Sequence, residues 1–354
     1  MTSNIGDWQK GGISMSVKTR PVRMSRRAFL AGAVTTTTMG MLGARPTRAA
    51  AAPKILKLGS LHATTDPTHF GMLKFAELVK ERSQGRYEIR IFPASQLGDL
   101  QSQLDAIVMG AQEMYMTGWG ALGTQMRDFD ISGFPILFRD QEHAWKFAAS
   151  PAGKELYEQL RRERGLRPLS VDWIWPPRQI VSKRPVKSPA DLKGLKMRVP
   201  TQKVWSESWK AMGVSSTPMA WGEIFTGLQS GIVEALEGPS TQIIPMKFTE
   251  VAKHVTLTNH TKFIAHIIVS DKWFAALSPE DQKLFVETSK EAGAYGNKLV
   301  QEADANFVAD LKKQGVNVIN PDPGFFDALK ALPAKFEAEG LWSKGLYQRI
   351  QDVQ

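Results

Sequence analysis

The chain of 354 residues, 42% of them hydrophobic, is long enough to bury two modest cores, which points to a two-domain globular protein. Its net charge of +10 suggests an acidic partner such as nucleic acid, but eight basic residues and one acid, Asp7, lie in the first 50 positions. The remaining 304 carry 37 basic and 34 acidic side chains, which removes most support for nucleic-acid binding. The absence of cysteine excludes disulfide scaffolds, thiol nucleophiles and Cys-ligated zinc.

In chain order, the first feature is Ser25-Arg26-Arg27-Ala28-Phe29-Leu30, followed by a mildly apolar stretch from Ala31 to Ala44 and small residues from Ala49 to Ala52. The segment resembles a twin-arginine export signal. Its apolar run is shorter than the roughly 20 residues of a bilayer span and is diluted by Thr35 to Thr38. Residues 1–52 are therefore expected to be removed on export to the periplasm.

Beyond them, short apolar runs alternate with amphipathic stretches, the pattern of an α/β domain. Strands are expected at Ile55 to Gly59, Tyr87 to Phe92 and Glu113 to Thr117, with helices at Phe70 to Arg82 and Leu97 to Met109. A second series follows: strands at Gln179 to Ser182 and Met197 to Val199, then helices at Val204 to Met212 and Glu223 to Gln229. Ser278-Pro279-Glu280-Asp281 opens the longest helical pattern, with a serine cap, a first-turn proline and acids at the positive end of the helix dipole. It continues without proline to Lys313, about 50 Å at ~1.5 Å per residue, long enough to brace two lobes. Gly293 and Gly296 are candidate kink positions within it.

The most informative segment is Ser188-Pro189-Ala190-Asp191-Leu192-Lys193-Gly194-Leu195-Lys196-Met197-Arg198-Val199-Pro200. It is joined in register by Pro218-Met219-Ala220-Trp221-Gly222-Glu223-Ile224-Phe225, Leu228-Gln229-Ser230-Gly231 and Val233-Glu234-Ala235-Leu236-Glu237-Gly238-Pro239. Phe92-Pro93-Ala94-Ser95-Gln96-Leu97-Gly98-Asp99 and Leu277-Ser278-Pro279-Glu280-Asp281-Gln282 complete the pattern. Together they resemble the solute receptors of tripartite ATP-independent periplasmic (TRAP) transporters, the C4-dicarboxylate-receptor (DctP) family, over nearly the whole exported chain. The resemblance implies a two-lobed α/β periplasmic binding protein with a ligand cleft between lobes. Lobe I is expected at residues 53–175 plus about 264–303, and lobe II at 176–263 plus about 304–354. It further implies a monomer that binds a small carboxylate without cofactor, metal or catalysis and hands it to membrane permease subunits.

In that family an arginine before Val-Pro grips the ligand carboxylate, and Arg198 holds the position; a second arginine twenty residues upstream corresponds to Arg178. A guanidinium suits the task because its planar fork donates two parallel hydrogen bonds and stays charged. The resemblance places Trp221 against the ligand's apolar face and His62, with Thr64 and Thr65, in the first ligand-facing loop; Trp119, Trp173, Trp175 and Trp205 are further aromatic candidates. Many relatives carry Asn where this chain has Gly238, a departure that leaves room for a bulkier ligand, with Gln242 or Glu237 supplying polarity.

The competing signal is Gly118-Trp119-Gly120-Ala121-Leu122-Gly123, a GxGxxG run after an expected strand, with Asp140 as the ribose-binding acid of an exported NAD(P)-dependent oxidoreductase. Its position after the third strand, and a tryptophan at the second position, both weigh against a pyrophosphate turn. The six histidines form no HExxH pair, and no GxSxG elbow or P-loop is present.

Overall fold

The computed structural model describes residues 52–354; the paired-arginine segment lies outside the described residues. The chain begins with β1 (Lys54–Ser60) and α1 (Pro67–Arg82). Asp66 caps α1 by accepting the Thr68 amide at 2.7 Å, and Pro67 occupies its first turn, so the helix starts three residues before its apolar periodicity. Then come β2 (Tyr87–Phe92), α2 (Leu100–Val108) and β3 (Met114–Gly118), with β1 parallel to both neighbours, the arrangement that helical crossovers produce. Helices α3 (Gln141–Ala149) and α4 (Pro151–Arg164) lead to two short strands, β4 (Leu166–Pro168) and β5 (Trp173–Trp175).

After Pro176-Pro177 a second sheet starts with β6 (Arg178–Ser182), β7 (Lys196–Val199), α5 (Lys203–Ala211), β8 (Ser215–Pro218), α6 (Ile224–Ser230) and β9 (Ala235–Pro239). Short helices α7 (Ser240–Ile243) and α8 (Phe248–Val251) precede β10 (His254–Thr256). The chain returns to the first sheet as β11 (Phe263–Ser270), antiparallel to β3, β4 and β5. It then enters α9 (Asp271–Ala275), α10 (Pro279–Lys313) and β12 (Asn317–Ile319), which joins β10. The tail holds α11 (Pro333–Ala338) and α12 (Leu346–Gln351). The first sheet has the order β2-β1-β3-β11-β4, with β5 also on β11; the second runs β12-β10-β6-β9-β7-β8. Each sheet forms one lobe.

Helix α10 is continuous over 35 residues, as its cap and charge pattern predict: Ser278 Oγ accepts the Asp281 amide at 3.1 Å, and Lys312 and Lys313 sit in the last turn. Its first half packs along α1, where Tyr87 donates to Asp281 at 2.8 Å; its second half gives Phe307 and Leu311 to the lobe II core beside Val181 and Phe248. Gly293 and Gly296 do not interrupt it. A Cβ at Gly293 would lie 2.8 Å from Trp173 Nε1, and one at Gly296 3.3 Å from Gly71 Cα, so these glycines thin the helix where Trp173 and α1 press on it.

The C-terminal tail meets both lobes. Phe326 still packs on Trp209 of α5, but Phe336, Trp342 and Tyr347 surround Phe134 of lobe I, each with its ring centroid 6.0 Å away. Gln351 Nε2 donates to the Leu137 carbonyl at 2.7 Å. The apolar residues of the tail thus find their partners on the segment between β3 and α3, and the tail ends on lobe I. Several polar contacts also cross between the lobes. Asp130 accepts the Val204 amide at the start of α5 at 3.0 Å, and Thr241 donates to Asp66 at 3.2 Å.

Candidate functional site

The quoted motif works first as local structure. Asp191 accepts the amides of Lys187 (2.9 Å) and Ser188 (2.7 Å), which folds the Ser-Pro-x-Asp run into a single tight turn. Gly194, at φ 71°, makes the left-handed step into β7. Arg198 then comes near the end of β7, and Pro200 follows as a residue unable to extend the ladder. Arg178 opens β6, so two guanidiniums arrive at strand ends on either side of β9.

These ends face a cleft of about 860 Å³, counting its open mouth. Lobe I supplies Leu61, Thr117, Gly120 and Trp175; lobe II supplies Arg178, Arg198, Gln202, Trp205, Trp221 and Gln242. Arg178 is paired with Glu237 through Nε and Nη2. Its Nη2 donates to Glu237 Oε1 at 2.6 Å and to the Glu237 carbonyl at 3.0 Å, its Nε donates to Glu237 Oε2, and its plane lies over Trp205 at 4.8 Å. Glu237 is completely buried and also meets His260 Nε2 at 3.2 Å, while His260 Nδ1 lies 2.8 Å from Thr258 Oγ1. Burial alone would raise the Glu237 carboxyl, but the Arg178 charge and the hydrogen bonds from His260 and Arg178 outweigh it and hold the pKa down at about 2. Burial lowers the pKa of His260 more than Glu237 raises it, which favours a neutral ring that donates Nε2–H to the carboxylate.

Arg198 has a different environment. Its Nε donates to the Met219 carbonyl at 2.9 Å and its guanidinium lies 5.4 Å from the Trp221 ring centre. Nη1 stands 3.9 Å from Glu237 Oε1, outside hydrogen-bond range, and has no acceptor among the described residues. The side chain is only 4% exposed. Burial pushes its pKa down to about 9, with Glu237 opposing, so it is still protonated at neutral pH. Two arginines, one glutamate and a neutral histidine leave this wall of the cleft with one net positive charge. That charge sits where Arg198 has an unused donor.

The structure brings Arg178, Arg198, Trp221 and Gln242 to one cleft, with Trp175 and Trp205 beside them. Gln242 Nε2 and Gln202 Oε1 are buried polar atoms with no partner among the described residues. Gln202 had no signal in the sequence beyond lying just after Pro200. His260 had none either, since its partner Glu237 lies twenty-three residues away. Trp119 does not line the cleft. Its ring packs among Phe129, Phe138 and Phe147 at 5.4–5.7 Å, at the start of the 3-10 turn that follows β3. Trp173 is likewise a core residue, donating to the Ser289 carbonyl at 3.1 Å. His62 is buried behind the wall, edge-on to Trp175 at 5.3 Å and bonded to Ser60 Oγ at 2.8 Å. Glu237 braces Arg178 rather than supplying polarity to the cleft, and the space beside Gly238 is taken by Trp221, whose Cη2 would be 3.0 Å from a Cβ there.

The GxGxxG run has a packing explanation. Residues Trp119–Thr124 form a 3-10 turn. A Cβ at Gly118 would strike Phe263 and Trp175 (2.7 and 2.8 Å), at Gly120 Ser132 Oγ (2.7 Å), and at Gly123 the Asp130 backbone (2.8 Å). These glycines admit neighbouring side chains and chain, not a pyrophosphate, and Asp140 is the N-cap of α3, accepting the His143 amide at 2.7 Å. The oxidoreductase alternative is therefore not supported.

Comparison with known proteins agrees with this geometry. Residues 58–336 match the family model described as bacterial extracellular solute-binding protein, family 7, DctP. The chain is 34% identical over 284 residues to the 2,3-diketo-L-gulonate-binding periplasmic protein YiaO of Escherichia coli, covering 78% of this chain and 85% of that protein. The crystal structure of a TRAP periplasmic solute-binding protein from Polaromonas, bound to D-erythronate, is similar with a TM-score of 0.79 and 32% identity, covering 85% of this chain and 99% of that one. A TRAP receptor from Actinobacillus succinogenes with bound L-galactonate gives a TM-score of 0.78 and 30% identity, with coverage of 85% and 99%. The chain belongs to family 7 of the bacterial extracellular solute-binding proteins, the DctP family of TRAP periplasmic receptors.

Proposed function

We propose that this protein is the periplasmic receptor of a TRAP transporter for a sugar-acid monocarboxylate, which it captures by closing two lobes and presents to the membrane permease subunits. The observation that carries the reading is Arg198, buried and charged at the cleft wall with an Nη1 donor that no group among the described residues accepts. A carboxylate there gains charge-assisted hydrogen bonds in a site of low polarity, where they are stronger than in water. Because Glu237 already compensates Arg178, the wall carries one net positive charge, which suits a single carboxylate better than two. Gln242 Nε2 and Gln202 Oε1 offer a donor and an acceptor to hydroxyl groups, and the indoles of Trp175, Trp205 and Trp221 cover C–H faces. D-erythronate and L-galactonate, bound by similar receptors, have this chemistry, and so does the 2,3-diketo-L-gulonate of the E. coli relative.

Capture involves no covalent change. The ligand contacts both walls only when the lobes are together, so its binding energy shifts the population toward the closed form. The reading includes export by the twin-arginine signal, action as a monomer and no catalytic activity. Replacing Arg26 and Arg27 by lysine should keep the precursor out of the periplasm, and light scattering should report one chain per particle.

The deciding test is a thermal-shift and calorimetric screen of residues 53–354 against four- and six-carbon aldonates, succinate, and an alditol lacking the carboxylate. Aldonates at 100 times Kd should add about 2.7 kcal/mol of stability. Tighter binding of succinate than of every aldonate would refute the monocarboxylate reading.

A further inference from the structure

Trp221 owes its position to a side chain that is missing. Gly238 lies in β9 with ordinary extended backbone and is not among the residues of positive φ, so conformation does not require glycine there. A Cβ on Gly238 would stand 3.0 Å from Trp221 Cη2, 3.2 Å from Trp221 Cζ3 and 3.1 Å from Leu236 Cδ1. The six-membered ring of the indole therefore occupies the volume that any other residue at 238 would fill. Phe248 closes the core side of the same ring, edge-on at 5.3 Å, and the Arg198 guanidinium lies at 5.4 Å toward the cleft. With Leu236 and Phe248 fully buried behind it, an indole displaced from its seat moves toward Arg198 and the cleft.

We infer that Gly238 is a specificity-determining residue: it recesses the Trp221 indole into the lobe II wall, and the room this opens beside Arg198 admits a six-carbon acid that a side chain at position 238 would exclude. The inference rests on the sugar-acid reading for the identity of the acids, though not for the seat itself. A four-carbon acid anchored on the same guanidinium reaches less far along the wall and depends less on the recess. The selection acts through shape alone, since neither Gly238 nor the displaced ring changes the charge of the site.

The test compares calorimetric affinities of wild type, Gly238→Ala, Trp221→Phe and the double variant for D-erythronate and L-galactonate, with a crystal structure of Gly238→Ala. Gly238→Ala is expected to weaken L-galactonate binding by about tenfold or more and D-erythronate binding by less than about threefold, the scale on which a tight pocket discriminates a few atoms. Phenylalanine lacks the ring atoms nearest Gly238, so the double variant should regain most of the L-galactonate affinity. Trp221→Phe alone, which makes no demand on space at 238, should shift the affinity ratio toward the larger acid. Equal losses for both acids, no recovery in the double variant, or an unchanged ratio in Trp221→Phe would overturn the inference. Should wild type bind neither acid, the sugar-acid reading falls, and the crystal structure still decides the seat: an indole moved toward Arg198 supports it, and an unmoved one overturns it.

Discussion

Arg178 and Arg198 stand at strand ends flanking β9, both buried and both facing one cleft, yet their surroundings make them different parts of the machine. Arg178 donates to Glu237 with Nε and Nη2, rests on Trp205 and is tied through Glu237 to His260. Arg198 has a single protein acceptor, the Met219 carbonyl, among the described residues. A buried ion pair in hydrogen-bond contact holds a shape, whereas a buried cation with no carboxylate in hydrogen-bond range carries a desolvation cost that a ligand can relieve. The same residue type is therefore an ion-pair member at one strand end and, in the function proposed above, the ligand anchor at the other.

The largest expected effect breaks the scaffold side. Glu237→Ala strands the Arg178 charge and the His260 donor, and urea unfolding should show a loss of about 3–5 kcal/mol, as when one partner of a buried pair is removed. A loss under about 1 kcal/mol would mean that the pair is solvated and that the contrast fails.

On the other side, Arg198→Met should weaken carboxylate binding by about 2–5 kcal/mol, measured by calorimetry, while leaving stability without added ligand within about 1 kcal/mol of wild type. Arg178→Met should instead lower stability. Equal stability losses in the two variants would erase the distinction drawn between them.

Acidification sharpens the comparison. The folded pKa of His260 lies below its ordinary 6.5 because of burial, so its contribution is complete above that pH and declines as pH falls below it. Glu237 is held at about 2 against an ordinary 4.5; its contribution is complete above 4.5 and is lost between 4.5 and about 2. Unfolding midpoints should therefore fall on acidification below about 6.5, and His260→Gln should flatten the upper part of that slope. An unchanged slope would show that His260 titrates as it does in the unfolded chain.

The smallest expected effect concerns the hydroxyl-facing amide. Gln242→Ala should cost about 1 kcal/mol of aldonate affinity, one net hydrogen bond, with no effect on stability. Ligand affinity equal to wild type would remove Gln242 from the contact set.

Much of the architecture was legible in the chain. The period of α1, the Ser278 cap and the charge bias of α10 are local signals, decided by residues a few positions apart, and the structure follows them within a few residues. The turn that Asp191 folds, and the strand delivering Arg198, are local in the same sense. What was not legible depends on partners far apart in sequence. The Glu237–His260 contact spans twenty-three residues and Trp205 meets Gly133 from another lobe, so neither has a periodic signature.

The sequence by itself determined the first strands and helices of each lobe, the long helix, and which strand ends carry arginine, because caps, turns and hydrophobic period act at short range. Only the tertiary structure decided which arginine is paired with Glu237, that Trp119 is core and Trp221 is wall, and that Gly238 seats an indole. Those outcomes turn on which groups meet after the chain has closed, where burial and the distance to a nonlocal partner set both charge and space.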